Sequence, residues 1–105
     1  MDKSSVQIAQ KFLKKIAQKI NVKKLILFGS RARGDYLKDS DYDFIIVSEY
    51  FEKKPFIFRA GFFYDFWDED VDIEILCYTP EEFERKKKQQ GIVQQAIKEG
   101  IEISY

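Results

Sequence analysis

With 105 residues, 45% of them hydrophobic and 34% charged, the chain has room for one core and therefore one domain, residues 1–105. Its 18 basic and 18 acidic residues cancel, which disfavours a stand-alone nucleic-acid binder, and no apolar run approaches the ~18 residues of a membrane span. One cysteine and no histidine exclude an internal disulfide, histidine-based catalysis and histidine metal ligands, so a metal here would be held by oxygens: magnesium, manganese or calcium.

The opening MDKSSVQIAQK has no signal-peptide core, and the expectation is a cytoplasmic protein. Val6, Ala9, Leu13, Ile16 and Ile20 recur at helical steps and predict a helix over 4–20, capped by Ser4 or Ser5 and ended by Asn21. Residues 25–28 read as a short buried strand. GSRARGDYLKDS is a loop with room for a helical turn after Gly29, and 41–47 is a second strand rich in aromatic and β-branched residues. After the polar break SEYFEKK, Pro55 opens the aromatic-dense FIFRAGFFYDFW, read as a helix. Residues 71–77 begin in clean alternation and predict a strand, with Cys77 as a small core residue. TPEEF supplies a Thr79 cap, Pro80 at the first helical position and acids in the first turn. This helix carries ERKKKQQ as a solvated face and stops near Gly91. Residues 92–98 form a last helix ended by Gly100, and IEISY is a short strand or tail. The order describes a mixed α+β domain, a small sheet flanked by helices.

Two stretches carry chemistry. Gly29-Ser30 ends a buried strand, where glycine lets backbone approach a ligand and a helix start offers N–H groups to phosphate. Arg31 and Arg33 add guanidinium groups suited to phosphate oxygens. The Gly29–Gly34 spacing fits a P-loop, but Asp35 and Tyr36 stand where Lys and Ser/Thr belong. Asp41 and Asp43 lie on one face of a strand, roughly 6–7 Å apart by strand rise. Two charges at that distance repel by about 2–3 kcal/mol at an effective dielectric near 20, and a divalent cation would remove the repulsion. Asp70, Asp72 and Glu74 share a face of the next strand, and if that strand lies beside 41–47 a third acid converges on the pair. Alternation alone leaves Asp72 and Glu74 as equal choices. Three such acids could hold two ions that clamp the attacking and leaving oxygens of a phosphoryl or nucleotidyl transfer.

GSRARGDYLKDSDYDF, with Gly-Ser ten residues ahead of Asp-x-Asp, resembles the signature of the minimal nucleotidyltransferase family, a branch of the DNA polymerase β-like nucleotidyltransferase superfamily. The likeness continues through VDIEILCYTPEEFE and AIKEGIEIS and spans most of 22–104. The resemblance implies the polymerase β-like palm fold and transfer of AMP from ATP with release of pyrophosphate. It implies Gly29 and Ser30 as phosphate-binding residues, with Arg31 and Arg33 contacting the triphosphate. Asp41 and Asp43 match the metal-binding acids, and Asp72 matches the third acid, the base or second-metal ligand; the ions would be Mg2+, two of them, with Mn2+ as substitute. Members of this family are often antitoxins paired with a HEPN-domain ribonuclease toxin, and some add AMP to a tyrosine of that toxin. The expected partner is therefore a HEPN-domain protein.

Two rivals remain at the level of sequence. The chain could neutralise a partner by binding alone, although three mutually repelling acids have no use in a pure binder. It could instead modify RNA ends or an aminoglycoside, but relatives with those substrates usually carry extra domains. The aromatic segment 56–67 reads equally as core with scattered surface rings or as an interface for a partner or a second copy, and Arg59 within it could point to the active site.

Overall fold

The computed structural model describes residues 3–104. Its sheet has four strands in the order β3-β2-β1-β4, comprising β1 Lys24–Phe28, β2 Tyr42–Val47, β3 Ile73–Tyr78 and β4 Ile101–Glu102. Strand β1 is antiparallel to both β2 and β4, whereas β2 and β3 run parallel. The helices are α1 Lys3–Ala17, α2 Ser30–Arg33, α3 Pro80–Lys87 and α4 Ile92–Glu99. This is the mixed α+β fold expected from the element order.

Strand alternation divides the core in two. Leu25, Leu27, Phe44, Ile46, Ile75 and Cys77 face α1, where they meet Phe12, Leu13 and Ile16. Ile26, Ile45, Val47 and Tyr78 face the other way, onto Phe83 of α3 and Val93 and Ala96 of α4. Aromatic rings dominate the first layer: Phe12 lies 5.1 Å from Phe44, and Trp67 meets Phe12, Tyr42 and Phe44 edge-on. Such pairs add to the burial of their own area. Burial pushes the Cys77 thiol up to about 12, so it is inert core, as expected.

Helix α1 begins at Lys3, so Ser4 and Ser5 lie inside it rather than capping it, and Ser5 is fully buried. Helix α3 starts as the sequence predicts. The Thr79 hydroxyl accepts from the Glu82 N–H at 3.1 Å, and the Glu82 carboxylate accepts from the Thr79 N–H at 2.9 Å. Gly100 is required where α4 turns into β4, because a Cβ there would stand 2.8 Å from the Leu27 carbonyl oxygen.

The aromatic segment departs from expectation. It forms two 3-10 turns, Phe56–Phe58 and Ala60–Phe66, rather than an α-helix. Three residues per turn bring positions i and i+3 into line. Ala60, Phe63 and Phe66 consequently form one row against the core, while Phe56, Ile57, Phe58 and Tyr64 stay exposed. Arg59, between the turns, is only 6% exposed and points away from the acids. It donates to the Lys54 and Cys77 carbonyls and grips Glu82 at 2.6 and 3.2 Å. The Arg59 hydrogen bond holds the Glu82 carboxyl below its ordinary range. Arg59 thus ties the aromatic segment to the α3 cap. Arg59→Met removes the guanidinium from Glu82 and from two carbonyls and should destabilise the fold by about 3 kcal/mol, read as a lowered urea midpoint at unchanged slope.

Candidate active site

The acids gather at one end of the sheet. In β2, Tyr42 and Phe44 point towards α1, so Asp43 points to the opposite face, shared with Ile45 and Val47. Strand register then aligns three residues across the sheet: Phe28 of β1 opposite Asp43, and Asp43 opposite Glu74 of β3. Asp41 and Asp72 stand one step further out, just before their strands, and the Tyr42 N–H donates to the Asp72 carbonyl at 3.0 Å. Asp41, Asp72 and Glu74 line one open pocket of about 420 Å³, with Tyr64 and Trp67 on its wall. The condition set by the sequence is therefore met: the strand after the aromatic segment lies beside the Asp41–Asp43 pair.

Gly29 presses on this cluster. Its φ of +76° is one L side chains rarely adopt, and a Cβ there would collide with Asp43 Oδ2 and stand 3.2 Å from Asp43 Cγ. Backbone and carboxylate can meet this closely only because residue 29 lacks a side chain. Ser30 opens α2 immediately afterwards, and Gly34 ends that turn in the left-handed region. The N–H groups of Ser30 and Arg31 precede the first intrahelical bonds, which run from Ala32 and Arg33 to the Gly29 carbonyl.

The two loop arginines diverge. Arg33 is exposed, 3.2 Å from Asp35 and 3.8 Å from Glu99, and its charge reaches Asp43. Arg31, expected at the triphosphate, is buried instead. Its guanidinium donates to the Lys38 and Ser40 carbonyls at 3.1–3.2 Å. It also lies against the Tyr36 and Tyr42 rings, 4.1 and 4.5 Å from their centroids. Tyr42 faces the α1 side, opposite the acids, so Arg31 clamps the loop that leads to Asp41 rather than facing the site.

Asp43 carries the electrostatic cost of the assembly. Its pKa is pushed up to about 6, first by burial and then by Glu74, through both charge and hydrogen bonding, and by Asp41; Arg33 opposes the rise. Asp43 therefore keeps its proton into mildly acidic pH beside the Glu74 carboxylate. Hard oxygen donors under mutual repulsion match a divalent cation in chemistry. As placed, no three acids among the described residues form a closed metal cluster, so enclosing an ion takes side-chain rotation. Sequence reasoning missed the Asp43–Glu74 pairing. Alternation had put Glu74 on the correct face, but strand register is a tertiary fact.

Two outcomes follow. Because the folded-state pKa of Asp43 lies above its ordinary 3.8, the native state binds the proton more tightly than the unfolded chain, and this cost appears as pH rises through about 4 to 6. Asp43→Asn should therefore melt higher than wild type near pH ~7.5, by about 1 kcal/mol after discounting for partial exposure, with no difference near pH ~4. Arg31→Gln, which removes a buried clamp, should lower the melting temperature by several degrees, about 4–8 °C per kcal/mol for a domain of this size, whereas exposed Arg33→Gln should not. Both are read by thermal circular dichroism.

The chain resembles proteins already described. A family model for the nucleotidyltransferase domain matches residues 9–103. A Methanocaldococcus jannaschii protein, provisionally named a protein adenylyltransferase, is 61% identical over 28 residues, 27% of this chain and 28% of that protein. The matched stretch thus spans less than a third of that relative's length. The crystal structure of a provisionally assigned nucleotidyltransferase from Sulfolobus solfataricus superposes with a TM-score of 0.65 at 24% identity, covering 94% of this chain and 78% of that one. At that identity the likeness concerns the fold.

Proposed function

The chain belongs to the nucleotidyltransferase domain family, and on that premise we propose that it transfers AMP from ATP to an acceptor hydroxyl, a tyrosine of a HEPN-domain ribonuclease partner that it thereby silences. The observation that carries the transfer chemistry is the contact of Gly29 with Asp43, which brings the phosphate-binding turn and the acid cluster to one point. The nature of the acceptor rests on the adenylyltransferase name of the M. jannaschii relative and on the family resemblance of the motif.

In this reading the triphosphate lies over Gly29 and Ser30, with Arg33 at its flank. Asp41, Asp43 and Asp72 would hold divalent magnesium, which when bound neutralises triphosphate charge and polarises the attacking oxygen. The tyrosine oxygen bonds to the α-phosphorus, the bond from that phosphorus to the bridging oxygen breaks, and pyrophosphate leaves with the electron pair. Asp72, exposed on the pocket of about 420 Å³ beside Asp41, takes the hydroxyl proton. Without a metal, burial and then Glu74 raise Asp43 to about 6, so magnesium would compete there with a proton at mildly acidic pH. Tyr64 and Trp67 give the pocket an aromatic wall for the acceptor ring.

Incubation with radiolabelled ATP, magnesium and a HEPN partner should label the partner on tyrosine; an unlabelled partner alongside demonstrably active enzyme would refute the acceptor assignment. Asp72→Asn should lower kcat by about 10²–10⁴-fold. Glu74→Gln should instead lower the pKa of Asp43 in the metal-free protein, read by carboxyl NMR titration, since it removes a charge that raises it. If Asp41→Ala with Asp43→Ala still protects against the toxin, binding alone accounts for the antitoxin effect.

A further inference from the structure

The crossover between β2 and β3 carries an exposed aromatic row that leads to the acids. Arg59 joins its two 3-10 turns in helical geometry, with φ of −78° and ψ of −39°, so residues 56–66 run on along one axis. Residues three apart are then in line. Ala60, Phe63 and Phe66 face the core, which leaves Phe58, Gly61 and Tyr64 as an outward row. Phe58 is 71% exposed and Tyr64 49%, and neither ring meets another aromatic ring among the described residues. A Cβ at Gly61 would touch nothing within 4 Å. The row is therefore ring, gap, ring: an open notch about 12 Å long at a rise of about 2.0 Å per residue. We propose that this notch and the acidic pocket at its end dock the acceptor protein through a basic segment, with an arginine or lysine three or four residues from the reacting tyrosine. The proposal rests on the transfer reading above and adds to it the sequence chemistry of the acceptor.

Two observations give the occupant its charge. The first is an excess of carboxylates. Tyr64 and Trp67 line the pocket of about 420 Å³ together with Asp41, Glu69, Asp70, Asp72 and Glu74. Magnesium would engage Asp41 and Asp72, which leaves Glu69, Asp70 and Glu74. Among the described residues no lysine or arginine pairs with any of these three, whereas the neighbouring Asp68 is paired with Lys15. Charge that no basic side chain of the protein balances repels an acidic segment and attracts a basic one. The second is that the field is one-sided. The cleft on the other side of Gly29, about 200 Å³ between Phe28 and α4, has Glu99 as its single carboxylate, 3.8 Å from Arg33. The excess thus lies on the side where Asp72 and the aromatic wall would receive the acceptor.

The notch supplies the position. A guanidinium or ammonium group over Gly61 lies against the face of Phe58 or Tyr64, and ring faces attract cations. From Gly61 to Trp67 the helical rise covers about 12 Å, which an extended chain spans in three to four residues at about 3.3 Å each. A basic side chain in the notch therefore leaves a tyrosine of the same segment over the pocket.

The test measures the binding of fluorescently tagged peptides by polarisation, in magnesium and without ATP, so that it does not depend on transfer. Two peptides share a central tyrosine and differ only three and four residues to either side, where one carries arginine and the other glutamate. The arginine peptide should bind about tenfold or more tightly than the glutamate peptide, and raised salt should weaken it. Gly61→Leu fills the notch from an open position and should weaken the arginine peptide about threefold or more. Glu69→Gln with Asp70→Asn should weaken it about threefold or more, whereas Glu81→Gln with Glu84→Gln, exposed acids on α3, should not. Thermal melts confirm that the variants fold. Equal affinity for the two peptides, no binding of the arginine peptide at millimolar concentration, an unaffected Gly61→Leu, or an equal loss from the α3 pair would overturn the docking site. Each leaves the transfer reading standing where a HEPN partner is labelled from ATP. An unlabelled partner with the peptide preference intact overturns the acceptor assignment and leaves the basic docking site.

Discussion

The parallel pairing of β2 with β3 is the constraint on which the rest of the molecule depends. It sets Glu74 against Asp43 and leaves Asp41 and Asp72 just beyond, four carboxylates at one end of a small sheet. Such an arrangement opposes folding, as the raised pKa of Asp43 records. The stabilisation that offsets it comes from elsewhere: the aromatic layer under α1, the second apolar layer under α3 and α4, and the clamp of Arg59 on Glu82. Parallel strands need a crossover, and the aromatic segment provides it. Its conversion from helix to 3-10 turns follows from the same need, because a row of every third residue faces the core along the return path.

Three arginines show how one side chain serves three ends according to depth. Arg59 and Arg31 are both nearly buried, and each spends its donors on backbone carbonyls. Each fixes a segment that would otherwise run free across the surface: Arg59 the aromatic crossover, Arg31 the loop ahead of Asp41. Only Arg33 remains at the surface, where its field reaches Asp43. The division follows from the sheet's two faces, since Arg31 leans on Tyr42 and so sits on the side opposite the acids.

The site is accordingly asymmetric about Gly29 and Asp43. On one side lies an apolar floor with a few polar atoms, and on the other an acidic pocket with aromatic walls. The family match is to the nucleotidyltransferase domain over residues 9–103.

Much of this was legible in the residues themselves. Alternation along β2 and β3 assigned each acid to a face, Thr79-Pro80 with Glu82 announced the α3 cap, and the Gly29-Ser30 turn with Asp41 and Asp43 marked residues that the fold brings together. These features are local: they depend on strand period, cap chemistry and the spacing of a few side chains, all of which a linear chain displays. Tertiary structure decided what depends on which segment meets which. Glu74 rather than Asp72 opposes Asp43 because of strand register. Arg31 turns away from the acids because two tyrosines and two carbonyls hold it, and a pocket of about 200 Å³ exists because α4 packs beside Phe28. Register and packing are settled by the burial of whole faces at once, and no short stretch of sequence contains that balance.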